Sequence, residues 1–151
     1  MGKRGMVDVS GKEPTRREAV AEALLRADER TLKALQEGAL PKADPLPTAR
    51  AAALLAVKAT PGLIPHCHPI PLTDADVEFT LAADAIVVHC HVAATARTGV
   101  EMEALCGATI AALTLYDMLK ALCPAAEIAH VRLLEKSGGK GGPWRRERED
   151  G

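Results

Sequence analysis

One stretch, Thr98–Leu122, stands out in the pattern of hydrophobic and polar positions along the chain. From Ala104 to Tyr116 it carries no charge, and Asp117 and Lys120 follow near its end. A helix that is apolar on all sides is either buried on more than one side or lies in a membrane. A membrane span is disfavoured, because a charged pair, a glycine and two threonines interrupt the ~20 apolar residues that a span requires. The pattern therefore predicts a helix with its sheet on one side and another subunit on the other.

Strands are predicted where apolar and polar residues alternate. Thr15–Ala27 has the composition of a helix, but alanines and a leucine alternate through it as they do in a strand, and we predict a strand. Further strands are predicted at Asp76–Leu81, Ala85–Ala93 and Glu127–Leu134, with an edge strand at Met6–Ser10. A turn over residues 82–84 separates the first two of these.

Capping and breaking residues delimit two further helices. Asp28 is placed to cap a short helix that runs through Glu37 and is closed by Gly38. A second helix, rich in alanine and leucine, is predicted over Leu46–Ala59, with its end at Thr60-Pro61-Gly62.

A proline-rich segment, Leu63–Leu72, follows this helix. Its prolines at three positions exclude both a helix and a central strand. We therefore predict an extended, stiff loop that presents His66, Cys67 and His68 in a fixed arrangement.

These elements fit an α+β sandwich in which a mainly antiparallel sheet of about four strands has its helices packed on one face. Residues 1–151 are predicted to form a single domain, with residues 1–5 and 141–151 flexible.

Composition and charge narrow the functional classes. The 151 residues are 48% hydrophobic and 26% charged, which favours a folded domain over a disordered chain. A net charge of −1 gives no overall field that would attract nucleic acid or an anionic membrane, so an anion site must be a local cluster. Four widely spaced cysteines and no visible signal peptide favour reduced thiols in a cytoplasmic protein.

Two pairs of charged residues flank the apolar helix. Asp117 and Lys120 are three residues apart and share a helix face, with Cβ atoms roughly 5–6 Å apart. They form either a surface salt bridge at the helix end or a functional pair, and spacing alone leaves both interpretations open. Glu101 and Glu103 fall on one face if residues 93–102 form a strand.

Three other patterns suggest chemistry of different kinds. His66-Cys67-His68 and His89-Cys90-His91 carry zinc-binding residue types, but neighbours in an extended chain point to opposite sides, and we predict no metal site. Cys67 between two histidines is a candidate nucleophile, although sequence neighbours seldom reach that geometry. The glycine–lysine segment 136–142 offers unobstructed backbone N–H groups and two ammonium groups for a phosphate, or is simply flexible.

Six motifs occur in order between residues 6 and 140. They are Met6-Val7-Asp8-Val9-Ser10, Thr48-Ala49-Arg50, Leu63-Ile64-Pro65-His66-Cys67-His68-Pro69, Arg97-Thr98-Gly99-Val100-Glu101-Met102-Glu103-Ala104-Leu105, residues 111–118 with Lys120, and residues 131–140. Together they resemble the molybdenum cofactor biosynthesis protein C family.

This resemblance implies a ferredoxin-like α+β subunit and a homohexamer, built as a trimer of dimers with active sites at the dimer interfaces. It also implies a lyase, a cyclic pyranopterin monophosphate synthase. Such an enzyme converts a cyclised dihydroguanosine triphosphate to cyclic pyranopterin monophosphate and diphosphate, an early step of molybdenum cofactor biosynthesis. No cofactor is implied, and neither nucleic acid nor a membrane is an expected partner.

Carried over position by position, the resemblance assigns the catalytic aspartate to Asp117 and its lysine partner to Lys120. We add Glu101 and His66 as substrate-binding candidates. His66 stands where leucine is usual, and Ala43 and Pro45 replace glycine and valine without loss of charge. The matched positions that the resemblance implies face or bind the substrate are Arg17, Lys42, Lys58, Cys67, His68, Met102, Glu103 and Lys136.

The chemistry of these residues leaves several roles open. A neighbouring carboxylate favours the ammonium form of Lys120, which makes it an acid or a charge stabiliser unless other lysines depress its pKa. Glu101 and Glu103 are candidate acceptors for the guanine-derived N–H groups, and His68 is a candidate proton carrier or phosphate donor. The alternatives are a non-catalytic metal- or nucleotide-binding scaffold and an inactive paralogue that serves in assembly.

Overall fold

Three helices and five strands occupy residues 2–148, the part of the chain that a computed structural model describes. In chain order they are β1 (Thr15–Arg26), α1 (Glu29–Gln36), α2 (Pro45–Leu63), β2 (Leu72–Leu81), β3 (Ala85–Ala96), α3 (Glu101–Leu119), β4 (Glu127–Ser137) and β5 (Trp144–Arg145). Met1 and residues 149–151 lie outside the described residues. They belong to the two terminal segments, 1–5 and 141–151, that were predicted to be flexible.

The strands form one sheet in the order β2-β3-β1-β4-β5, and every neighbouring pair is antiparallel. Since β3 and β4 both run antiparallel to β1, the crossover through α3 joins two strands that are parallel to each other. This connectivity confirms the predicted α+β fold and is consistent with the ferredoxin-like type. The sheet has five strands rather than about four, because Trp144 and Arg145 pair with the end of β4.

Small side chains allow the helices to approach the sheet closely. Alternate residues of β1 from Ala19 to Leu25 are fully buried on the face that α3 covers. At Gly107 of α3, a Cβ atom would lie 2.6 Å from Cys90 Sγ and 2.8 Å from a methyl group of Val57. Only glycine fits at this contact between α3, β3 and α2, so the layer spacing depends on it.

Several predicted elements are confirmed with small shifts in their ends. Asp28 caps α1 by accepting a 2.7 Å hydrogen bond from the Thr31 amide, and Gly38 closes the helix region with a φ of +67°. The predicted strand over residues 15–27 is β1, and β2 and β3 are longer than predicted because their pairing continues to Leu72 and Ala96.

The predicted end of the second helix is wrong, because α2 continues through Pro61 to Leu63. The helix tolerates this proline in its last turn, where the Ile64 amide still donates to the Thr60 carbonyl oxygen at 2.9 Å. At its start, Asp44 accepts a hydrogen bond from the Leu46 amide and Pro45 occupies the first turn.

The predicted edge strand at residues 6–10, and the strand considered over residues 93–102, are absent from the described structure. Residues 6–9 have no regular structure, and a turn follows in which the Lys12 amide donates to the Val9 carbonyl oxygen at 3.0 Å. The Asp8 carboxylate accepts hydrogen bonds from the Ser10 amide at 2.9 Å and hydroxyl at 2.7 Å, and this local bonding competes with strand pairing. Residues 93–102 do not form one strand, because β3 ends at Ala96 and α3 begins at Glu101. Glu101 and Glu103 therefore lie in the first turn of a helix, where acidic residues are favoured, and not side by side on a strand.

The most apolar helix is the centre of the fold. α3 has the length and apolar composition of a membrane span, but its buried residues belong to the hydrophobic core, as in the central helix of a globular protein. It packs on β1, β3 and β4 and, beside it, on α2.

Candidate functional site

The predicted site residues gather at the two ends of α3. At its C-terminal end, which we call the aspartate end, lie Lys42, Asp117 and Lys120. At its N-terminal end, which we call the glutamate end, lie Glu101, Met102, Glu103 and Lys136.

The aspartate end is a linked group of three charges. Lys120 Nζ lies 2.8 Å from Asp117 Oδ1, and Lys42 Nζ lies 3.9 Å from the other carboxylate oxygen. The hydrogen bond from Lys120 lowers the pKa of Asp117, and the same bond raises the pKa of Lys120. Lys120 is therefore held as an ammonium at neutral pH, which suits a proton donor or charge stabiliser. All three side chains are about half exposed.

At the glutamate end, one carboxylate is paired and the other is buried. Glu101 forms an ion pair with Lys136, whose Nζ lies 3.2 Å from Glu101 Oε1. Glu103 is only 3% exposed, and among the described residues its Oε2 is the one buried side-chain oxygen without a hydrogen-bond partner. Burial, with a smaller contribution from the Glu101 charge, raises the pKa of Glu103 to about 7. This group can therefore donate or accept a proton near neutral pH.

The proline-rich loop lies at the glutamate end. Burial raises the pKa of the Cys67 thiol, and the nearby Glu103 carboxylate and Cys106 thiol raise it further. A raised pKa keeps the thiol protonated, which argues against the nucleophile interpretation. His68 Nε2 lies 2.8 Å from the Val7 carbonyl oxygen, and His66 is exposed.

The remaining predicted cations, Arg17 and Lys58, lie in different parts of the fold. The Arg17 guanidinium lies 3.4 Å from the Ala96 carbonyl oxygen and 3.3 Å from that of Arg97, just before α3 begins. Lys58 is exposed on α2 and lines a shallow cleft with residues 70–75 of the chain.

Within one chain, the aspartate end and the glutamate end of α3 lie far apart. Asp117 follows Glu103 by fourteen positions, which correspond to about 21 Å along a helix that rises 1.5 Å per residue. Within one chain, the Asp117–Lys120 pair therefore lies far from the proline-rich loop, which is at the glutamate end.

The outer face of α3 is unusually apolar for a surface. Met102 and Leu113 are 37% and 51% exposed, and Cys106 and Ile110 between them are partly buried. These residues follow at spacings of three and four and form one stripe, which we call the α3 outer face, and Asp117 continues it. Such a face is typical of contact with another subunit.

A polar network on the open face of the sheet was not anticipated from the sequence. Glu22 accepts hydrogen bonds from His89 at 2.8 Å and His130 at 2.9 Å, and Arg132 lies 3.2 Å away. The alternation in β1 could have revealed it, because it directs Glu22 away from the buried alanines. Within residues 2–148, no group of three or more histidines, cysteines or carboxylates has a geometry that could hold a metal ion.

Comparison with known proteins gives a single family. The sequence profile of the MoaC family matches residues 6–139. The cyclic pyranopterin monophosphate synthase of Deinococcus radiodurans is 51% identical over 143 residues, which cover 95% of this chain and 85% of the relative. The enzyme of that name from Pelobacter propionicus is 48% identical over 148 residues, 97% of this chain and 92% of the relative. Cyclic pyranopterin monophosphate synthase 2 of Mycobacterium tuberculosis is 48% identical over 145 residues, 96% and 87%.

Proposed function

This chain belongs to the MoaC family, and from that membership we infer that it is a lyase that forms cyclic pyranopterin monophosphate in molybdenum cofactor biosynthesis. The substrate is a cyclised dihydroguanosine triphosphate, and diphosphate is the second product. The four free thiols fit a reducing compartment, and the proposal includes a cytoplasmic location.

The observation that carries this proposal is the 2.8 Å contact between Asp117 and Lys120, with Lys42 beside it, at the end of an otherwise apolar helix. Formation of the cyclic phosphate is an internal attack that expels diphosphate, so fixed positive charge and positioning supply most of the rate enhancement. Lys42 and Lys120 are proposed to hold the phosphates, and Lys120, kept as an ammonium by Asp117, donates a proton or stabilises the developing charge.

The glutamate end is proposed to hold the guanine-derived ring. Glu101 and Glu103 supply acceptors for its N–H groups, and Glu103, with a pKa of about 7, can also exchange a proton with a ring nitrogen. The further residues proposed to contact the substrate at this end are Lys58, His66, Cys67, His68, Met102 and Lys136.

The site is proposed to be shared between two copies of the chain. An isologous contact through the α3 outer face pairs two helices antiparallel about a twofold axis near Ile110. Because Met102 and Asp117 lie at similar distances on either side of that axis, the contact brings the aspartate end of one copy to the glutamate end of the other. The exposed apolar residues on this face support the pairing. Three such dimers form the proposed hexamer.

Incubation of the protein with the cyclised nucleotide, followed by mass spectrometry and a diphosphate assay, tests the proposed function. Stoichiometric cyclic pyranopterin monophosphate and diphosphate are expected. Lys33→Met serves as the control for loss of a charge, since Lys33 forms only an exposed pair with Glu37 at 4.0 Å on α1. Unchanged substrate after incubation with folded wild-type protein would overturn the proposal.

A further inference from the structure

Arg17 lies where three segments of the fold meet. It enters from β1, and its guanidinium lies 3.4 Å from the Ala96 carbonyl oxygen and 3.3 Å from the Arg97 carbonyl oxygen. These carbonyl groups belong to the corner between β3 and α3. Two of the guanidinium N–H groups are therefore occupied by backbone of this chain.

The other side of the guanidinium faces the turn after β4. Gly138 and Gly139 have φ angles of +95° and +79°, a backbone conformation that favours glycine. A Cβ atom on Gly139 would overlap the Arg17 guanidinium, and one on Gly138 would overlap the Arg16 carbonyl oxygen. The two glycines thus allow the arginine to lie directly against the turn.

Each segment that Arg17 contacts leads to a residue of the glutamate end. The β3–α3 corner leads into Glu101, and the turn follows Lys136. These two residues form a 3.2 Å ion pair across the joint between the two segments. The relative position of the corner and the turn therefore sets the position of both charges.

We propose that Arg17 is a positioning residue, which holds the Gly138–Gly139 turn against the β3–α3 corner so that Lys136 and Glu101 are presented to the substrate. The inference rests on the proposed function. It differs from the role expected from the sequence, in which Arg17 contacts the substrate itself. A planar guanidinium can donate to two carbonyl groups while lying flat on a glycine turn, whereas a lysine ammonium is a point charge on a flexible stem.

The kinetic test compares Arg17→Lys with Arg17→Met. A positioning role predicts that both variants lose about 10- to 100-fold in kcat/KM, since displacement of a binding group by about 1 Å can cost that much. A substrate-binding cation would instead be largely rescued by lysine. Arg16→Met is the matched control: it removes the same charge from the neighbouring exposed position, and its turnover is expected to stay within about twofold of wild type.

A double-mutant cycle shows through which residue Arg17 acts. If it acts through Lys136, Arg17→Lys causes little further loss of kcat/KM in a Lys136→Met background, whereas independent contacts with the substrate give multiplicative losses. Gly139→Ala adds a methyl group that would overlap the Arg17 guanidinium, and it is expected to reproduce the loss of kcat/KM.

Hydrogen exchange tests, without substrate, whether Arg17 holds the Gly138–Gly139 turn in place. Arg17→Lys is expected to speed amide exchange of Gly142, whose N–H donates to the Gly139 carbonyl oxygen at 3.3 Å, about tenfold or more, with exchange in α2 unchanged, because the turn loses its anchor. Wild-type kinetics in Arg17→Lys, multiplicative losses in the cycle, or unchanged exchange of Gly142 would each overturn the inference. Absence of turnover in the wild type overturns the proposed function alone, since the exchange measurement still decides the role of Arg17.

Discussion

Lys120 Nζ donates to Asp117 Oδ1 at 2.8 Å, one helical turn away and at the end of a helix with no other charge after its first turn. The pair is about half exposed, so it contributes little to stability by itself. Its effect is on protonation, since each partner holds the other in its charged form.

Replacement of Asp117 by asparagine is expected to lower kcat about 100-fold, because Lys120 loses the carboxylate that holds and orients its ammonium. The thermal midpoint is expected to stay unchanged, since both side chains are exposed to solvent. Steady-state kinetics and thermal unfolding check this, with Lys33→Met as the control. Full turnover in Asp117→Asn contradicts the proposed role.

The raised pKa of Glu103 makes the free energy of unfolding of the protein depend on pH. Its folded pKa of about 7 lies above its ordinary value of 4.5, so the folded state binds more protons than the unfolded state between these values. Stability that is present below about pH 4.5 is lost as the pH rises through 7. Glu103→Gln is therefore expected to be more stable than wild type at pH 8, by up to about 3 kcal/mol, and little different at pH 5.

Urea unfolding of Glu103→Gln and wild type at these two pH values measures the difference. A gain of the same size at both values would mean that ionisation of Glu103 has no part in it. Glu101→Gln is the comparison, because this carboxylate is paired with Lys136 rather than unpartnered.

Glu22 is expected to show the opposite dependence. Burial acts against its charge, but the hydrogen bonds from His130 and His89 outweigh burial and lower its pKa. Its stabilising contribution is therefore present above its unfolded pKa and is lost as the pH falls through the folded pKa. Glu22→Gln is expected to cost about 1–2 kcal/mol at pH 7, since the side chain is largely but not fully buried.

Chemical unfolding from pH 7 to pH 3 checks this expectation. The destabilisation of Glu22→Gln relative to wild type should shrink as the wild-type carboxylate takes up its proton. A difference that stays constant over this range contradicts the assigned network.

Gly107→Ala tests the close packing of α3. The added methyl group would lie 2.6 Å from Cys90 Sγ and 2.8 Å from Val57, so strands and helices must separate, at a cost of about 1–3 kcal/mol. Gly62→Ala in α2 is the matched control, because nothing lies within 4 Å of its added methyl group. That change is expected to be neutral or to stabilise by up to about 1 kcal/mol, from helix propensity. Equal effects of the two substitutions on unfolding free energy would contradict the packing account.

Local patterns predicted what depends on neighbours in the sequence. Alternation identified β1, the Asp28 cap identified α1, and the spacing of three identified the contact between Asp117 and Lys120. These features depend on backbone periodicity, which a single sequence carries directly.

Features that depend on distant partners were not predictable in this way. The Glu22 network joins three strands that are far apart in the sequence, and no local pattern indicates which side chains meet there. Met6–Ser10 alternates as a strand does, but the Asp8 side chain stabilises a turn instead, and no neighbouring strand in the described structure pairs with it. The sequence pattern does not contain such competition between local and long-range bonding.

The central claim is that the aspartate end of one copy and the glutamate end of another form one site, and subunit complementation tests it most directly. Asp117→Asn and Glu103→Gln, each of low activity alone, are co-expressed in equal amounts and assayed for product. If the site is shared, about a quarter of wild-type turnover is expected, because half of randomly paired dimers combine the variants and each keeps one of two sites intact. Turnover that stays at the level of the separate variants would contradict the claim.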